Sequence, residues 1–350
     1  MKDQKLTAIG YALAAAVCYA LNVPCSKLLL GHISPTMMAA LLYLGAGIGV
    51  GTMYLFHHGR ERPEERLAKA DLPYTVGMVL LDILAPILLM LGIRSSTSSN
   101  ASLLGNFEIV ATTLIALLIF REAVSKRLWA AIGLITLSSI VLTFEGSGSF
   151  RFSAGSLLVL AAASCWGLEN NCTRRISEKS TYQIVTIKGA FSGSGALVTA
   201  LLMGERLPAL RFIPAALLLG FVAYGLSIFT YIRAQKTLGA AKTSAYYAAA
   251  PFIGVLLSFV LVREPLSLRY LAALLIMIAG TVFVVRDTLH HVHTHVHTHT
   301  FTHTHDGTTH THTVTHSHAH AHAFTDEKHG HRHSRAELEA LLAKPLSRTE

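Results

Sequence analysis

Four ionisable side chains stand inside long apolar stretches of this sequence, where a bare charge is costly: Asp82, Glu108, Glu169 and Lys188. Insertion of a charge at the centre of a membrane helix costs roughly 2.5–3.5 kcal/mol on translocon scales, so such residues are retained for a reason. A carboxylate in that setting can take up a proton from one side of a membrane and release it to the other, or it can pair with a cationic substrate. The packing alternative pairs Asp82 or Glu108 with Lys188 or an asparagine and only fixes helix contacts. Asn22, Asn106, Asn170 and Asn171 add hydrogen-bonding groups to the same stretches, and Pro24 and Pro251 free backbone carbonyls there. Tyr224, Tyr246 and Tyr247 are candidate lining residues for a substrate path, with interfacial anchoring as the competing reading.

A second chemistry is concentrated near the C-terminus. His291, His293, His295, His297 and His299, then His303, His305, His310 and His312, then His316, His318, His320 and His322 mostly alternate with Thr, Val or Ala. Imidazoles suit Zn, Ni and Co, and histidine-rich tracts are read as metal binding. The spacing defines no single rigid site, so the tract is expected to be disordered, to bind several ions and to exchange them. A pH-sensitive or merely polar linker is the alternative. No cofactor is required by any motif in the chain; a transition metal on the tail is the one group suggested.

These residues need elements that hold them in a bilayer. The 350 residues are 52% hydrophobic and only 14% charged, against roughly 25% charged for soluble domains. Runs of about 20 apolar residues, the length of a membrane-crossing helix, occur at 6–30, 35–56, 73–93, 100–120, 126–145, 155–174, 182–203, 212–233, 243–262 and 267–286. The first is too long for the apolar core of a cleavable signal. Lys and Arg of the short loops concentrate at residues 2–5, 60–69, 121–127, 174–179 and 233–242, with fewer on the opposite side. The positive-inside rule then puts both termini in the cytoplasm and the protein in the plasma membrane or inner membrane. The net charge of +9 reflects those loops, and no nucleic-acid partner is implied. Cys18, Cys25, Cys165 and Cys172 all lie in apolar segments and read as packing residues. Neither GxxxxGK[ST] nor HExxH nor GxSxG occurs, which argues against direct ATP driving and against an intramembrane enzyme.

The sequence also repeats itself. Residues 14–27, AAAVCYALNVPCSK, match residues 161–174, AAASCWGLENNCTR; residues 115–122, IALLIFRE, match 257–264, LSFVLVRE. Five helices in each repeat force the two halves to enter the membrane in opposite senses, the inverted-topology plan of many secondary transporters. With these stretches, and with polar residues late in the first and sixth helices, the chain resembles the EamA branch of the drug/metabolite transporter superfamily over about residues 6–286. Pro251 matches the proline usual in the ninth helix; its counterpart in the fourth is Ile109, preceded by Glu108.

The resulting expectation is an all-α polytopic membrane protein. It has ten transmembrane helices in two inverted five-helix repeats, 6–145 and 155–286, then a histidine-rich cytoplasmic tail, 289–333, and a short amphipathic helix, 334–344. Its expected function is secondary active transport of a small metabolite or ion by alternating access. The alternatives are a Co, Ni or Zn transporter whose tail buffers the cargo, and a membrane metal sensor that transports nothing. Expected partners are a small-molecule or ion substrate and the lipid bilayer; a homodimer is left open. Glu122 and Glu264 are expected to pair with the adjacent Arg121 and Arg263 at the membrane interface.

Overall fold

The computed structural model describes residues 2–57, 61, 63–120, 124–145, 151–176, 178–238, 243, 246–265 and 267–289, and the backbone of 291–305 and 308–322. The chain divides into two compact units, Met1–Arg286 and Asp287–Glu350.

The first unit is helical. Its long elements are α1 (Gln4–Leu29), α2 (Pro35–His57), α3 (Leu72–Ser95), α4 (Ser98–Ile119), α5 (Lys126–Thr143), α6 (Ala154–Arg175), α7 (Thr181–Leu202), α8 (Leu210–Ala234), α9 (Ala250–Val262) and α10 (Leu268–Asp287). Among the described residues, eight helices are long and apolar enough to cross a membrane, fewer than the ten spans expected. α6 is long enough, but its C-terminal half carries Glu169, Asn170, Asn171, Arg174 and Arg175. The described part of α9 is short. A two-residue antiparallel pair, β1 (Phe144–Glu145) with β2 (Arg151–Phe152), stands between α5 and α6. The helix expected to run to 145 ends at Thr143.

Local sequence explains the helix ends and breaks. Thr97, Ser125, Ser153 and Ser180 each accept a hydrogen bond at a helix N-terminus, from the amides of Asn100, Leu128, Ser156 and Gln183. α1 breaks at Leu21, between Lys2–Ala20 and Asn22–Leu29. Pro24 has no N–H to return to the carbonyl of Ala20. α4 breaks at Gly105–Asn106. Pro251 lies in the first turn of α9, where its missing donor costs nothing.

α2 runs through the middle of the packing, against α3, α7 and α8. Its glycines allow the backbones to touch. A Cβ on Gly47 would lie 2.6 Å from the Ala190 amide nitrogen, and one on Gly45 only 2.0 Å from the Leu217 carbonyl oxygen. Small residues at helix crossings are how membrane bundles gain van der Waals contact when hydrophobicity cannot drive association. α3 packs on α6, α1 on α8 and α9, and α4 on α6 and α9. The Ser138 hydroxyl on α5 donates to the Ala273 carbonyl on α10 at 2.7 Å. Met37, Met38, Leu42, Met90 and Ile93 are fully buried, while Leu55, Phe56, Leu118, Leu202 and Leu268 are at least 76% exposed. So much outward apolar surface fits lipid contact rather than water.

In the second unit, β3 (His291–His305) pairs antiparallel with β4 (Thr308–His322), in register from His291↔His322 to His305↔Thr308. The thirteen histidines read as metal ligands all lie on these strands. Alternating Thr and Val favour extended backbone. The segment 334–344, expected to be helical, lies outside the described residues.

Candidate functional site

Three of the four intramembrane charges meet. Lys188 Nζ lies 3.1 Å from Asp82 Oδ2 and 3.0 Å from Glu169 Oε1, so one ammonium on α7 bridges a carboxylate on α3 and another on α6. Asp82 is 0% exposed and Glu169 2% exposed. Both carboxylates have further donors. The Tyr43 hydroxyl on α2 donates to Asp82 Oδ1 at 2.9 Å, and the Trp166 indole N–H points at the same oxygen from 3.2 Å. The Thr173 hydroxyl donates to Glu169 Oε1 one turn along α6. Charges removed from water are tolerated when paired and hydrogen-bonded in this way.

The backbone that presents the ammonium is irregular. Lys188–Ser192 in α7 and Phe221–Leu226 in α8 are wound as π-helix, a local widening frequent at functional sites. Gly189 follows Lys188 directly, and a Cβ there would fall 2.3 Å from the Gly47 amide nitrogen. The site end of α7 is thereby pressed against α2.

Beside the triad lies a cavity of about 160 Å³, lined by Tyr19, Tyr43, Ala46, Glu108, Trp166, Glu169, Asn170, Val185, Lys188, Gly189, Ala223, Tyr224, Ile228 and Tyr247. Glu108 is the third charged residue of that lining, with Glu169 and Lys188. Asn170 Nδ2 donates to Glu108 Oε1 at 2.6 Å, and no basic side chain among the described residues forms an ion pair with it. Asn22 Nδ2 donates to the Tyr224 hydroxyl at 2.8 Å, joining α1 to α8 behind the cavity wall.

The other candidates are placed elsewhere. Asn171 Nδ2 donates to the carbonyls of Gly167 and Thr112, and Asn106 Nδ2 to the carbonyl of Leu103; their geometry serves helix packing. Tyr246 is absent from the cavity lining, and Pro24 and Pro251 shape their helices instead. Tyr19, Tyr43 and Trp166 line the cavity without having been singled out as site residues. A signal existed for two of them, since the internal repeat sets Tyr19 opposite Trp166.

A set of polar contacts joins helix ends away from the cavity. Lys27 Nζ donates to the carbonyls of Ile93 at 2.6 Å and Ser96 at 2.5 Å, across the end of α3. Glu264 accepts from the amides of Ser98 and Ser99 at 2.5 and 2.8 Å, capping α4 rather than pairing with Arg263 as expected. Arg263 takes a left-handed backbone, φ 57°, at the turn that delivers Glu264. Glu205 likewise accepts from Ser34, Thr36 and Met37 at the start of α2. Glu122 lies outside the described residues.

Residues 6–144 and 153–286 match the EamA-like transporter family. The chain belongs to that family. An uncharacterized transporter of Methanothermobacter thermautotrophicus is 27% identical over 296 residues, 78% of this chain and 84% of its own. The uncharacterized transporter YyaM of Bacillus subtilis is 21% identical, over 73% and 86% of the two chains. The uncharacterized inner membrane transporter YedA of Escherichia coli K12 is 25% identical, over 71% and 81%. A solved crystal structure superposes with a TM-score of 0.58 at 17% identity, covering 79% of this chain and 95% of its own, and so shares the fold. This EamA-like protein is a multi-pass membrane transporter.

Proposed function

We propose that the protein is a secondary active transporter. It moves a small metabolite or ion across the plasma or inner membrane by alternating access between two inverted five-helix halves, 6–145 and 155–286. The observation that carries this reading is the buried Asp82–Lys188–Glu169 triad beside a cavity within the bundle. The contacts support the two halves: α1 on α8 is the counterpart of α3 on α6, and α1 on α9 is the counterpart of α4 on α6. Tyr19 and Trp166, at matched positions of the repeat, line one cavity. The ionic cluster then has a neutral counterpart, Asn22 with Tyr224, so charge is concentrated on one side of the pseudo-symmetric centre.

With both termini in the cytoplasm, the cavity residues lie from the midplane toward the cytoplasmic side. The contacts of Lys27, Glu205 and Glu264 close the outer side, which is an inward-facing arrangement. Asp82, Glu108 and Glu169 are the proposed coupling acids. The tail is a cytoplasmic metal-holding segment for Zn, Ni or Co; the ladder sets His293 opposite His320, His295 opposite His318 and His297 opposite His316.

The test is solute-driven dissipation of an imposed proton gradient in proteoliposomes that enclose a pH dye, for wild type, Asp82→Asn and Glu108→Gln. Wild-type flux lost in both variants is expected. An intact gradient with every solute class, or variants as fast as wild type, overturns the reading. Removing 289–350 is expected to abolish Ni binding while leaving flux in place; equal Ni binding with and without the tail overturns its role.

A further inference from the structure

We propose that the cavity binds a small organic ammonium ion, held between the Glu108 carboxylate and a box of aromatic rings; the inference rests on the transporter reading for its physiological use but not for its chemistry. The charge pattern is asymmetric. The ammonium of Lys188 is engaged by two carboxylates, at 3.1 and 3.0 Å. It therefore has no spare charge with which to attract an anionic substrate. Glu108 is the reverse case. It lines the cavity with one oxygen taken by Asn170 and forms no ion pair among the described residues. A cation entering the cavity supplies the partner that the protein withholds.

The walls fit the same ligand. Tyr19, Tyr43, Trp166, Tyr224 and Tyr247 all line the cavity. The Tyr19 ring stands 6.1 Å from Tyr224, edge to face, and 5.8 Å from Tyr247, while Tyr43 stands 5.1 Å from Tyr224. Several hydroxyls are already committed: Tyr43 donates to Asp82, Tyr224 accepts from Asn22, and Tyr247 is 3.4 Å from the Ser227 hydroxyl. What these residues offer a ligand is ring surface. Ring faces attract ammonium groups, and aromatic cages are the recurrent receptor for alkylated ones. The volume, about 160 Å³, leaves room for a compact alkylammonium.

The experiment reads binding directly. The chain has two tryptophans. Trp129 on α5 is 48% exposed on the outer surface, so Trp129→Phe in the full-length protein leaves Trp166, in the cavity wall, as the sole indole reporter. Choline is titrated against its uncharged isostere 3,3-dimethylbutan-1-ol and against acetate. Saturable quenching by choline is expected, with the alcohol about tenfold weaker and acetate inert. Glu108→Gln is expected to weaken choline about tenfold, Tyr19→Leu and Tyr247→Leu several-fold each, and Tyr19→Phe to keep wild-type affinity. Equal affinity for choline and the alcohol overturns the proposal, as does unchanged choline affinity in a folded Glu108→Gln protein. If that variant does not fold, the choline and alcohol pair on the parent protein still decides. Choline that binds but is not carried by reconstituted protein sinks the transporter reading and leaves the cation site standing. Transport of an anionic or uncharged solute, with no choline binding or competition, does the opposite.

Discussion

Removing the central ammonium should hurt more than removing either acid it bridges, and Lys188→Met against Asp82→Asn measures the difference. Lys188 Nζ is 3.1 Å from Asp82 and 3.0 Å from Glu169; at an effective dielectric of about 20, each attraction is worth about 5 kcal/mol before desolvation. Asp82→Asn deletes one of them, but the Lys188–Glu169 pair stays matched and the amide still accepts from Tyr43. The net loss is then that of one hydrogen bond to a charge, about 1.5–3 kcal/mol. Lys188→Met deletes both attractions and leaves two carboxylates, 0% and 2% exposed, with no cation. Breaking a buried pair so costs about 3–5 kcal/mol. Combining Asp82→Asn with Lys188→Met removes one of the stranded acids, so the double variant should be more stable than Lys188→Met alone, a coupling of opposite sign to simple addition. The assay is reversible denaturation in a fixed detergent, followed by two optical probes. A Lys188→Met protein as stable as Asp82→Asn, or a double variant less stable than either, would refute the claim that Lys188 neutralises both carboxylates.

Three further outcomes are expected. Trp166→Phe keeps an aromatic side chain but loses part of the ring volume and the N–H that points at Asp82 and Tyr43, and should cost about 1–3 kcal/mol by denaturation; an unchanged stability would mean that neither contact holds the site. Gly47→Val forces a Cβ to within 2.6 Å of the Ala190 amide nitrogen, so a loss of about 1–3 kcal/mol is expected, seen as a lowered melting temperature. Glu264→Gln weakens the cap on Ser98 and Ser99 and should speed labelling of the half-buried Cys25 by an impermeant maleimide added outside; an unchanged rate in right-side-out vesicles would count against an outer closure.

Much of the membrane unit was legible because hydrocarbon penalises charge so strongly. Asp82, Glu169 and Lys188 stood out as exceptions in apolar runs, and the structure brings those three together. Tyr43 did not stand out: an aromatic in an apolar helix carries no sign that it faces an acid. The π-helical turns at Lys188–Ser192 and Phe221–Leu226 depend on how α7 and α8 meet α2, a tertiary property that no local pattern marks. Glu264 was read through its neighbour Arg263, but the orphan amides at the start of α4 compete for the same carboxylate and win, since they are fixed in place and need a partner. In the tail, the metal-ligand pattern and a backbone signal share the same residues. The alternation along both strands has period two, the pattern of extended backbone.

The charge count of the cavity constrains how such a carrier can work. The triad, with two carboxylates and one ammonium, carries one negative charge when fully ionised, and an ionised Glu108 beside it adds a second. Rocking the halves past an uncompensated pair of charges exposes them to a low-dielectric barrier in either direction. One monovalent cation at Glu108 together with one proton on the triad brings the site to neutrality, so the loaded carrier crosses more readily than the empty one. Under the proposed mechanism, coupling would arise in this way from electrostatics, without a dedicated latch. The same argument assigns the roles. In the proposed scheme Glu108, which lines the cavity and forms no ion pair among the described residues, is the coupling acid that a cationic substrate would reach. Asp82 and Glu169, locked to Lys188, are the groups whose protonation would loosen α3 and α6 from α7, the movement that an alternating site requires.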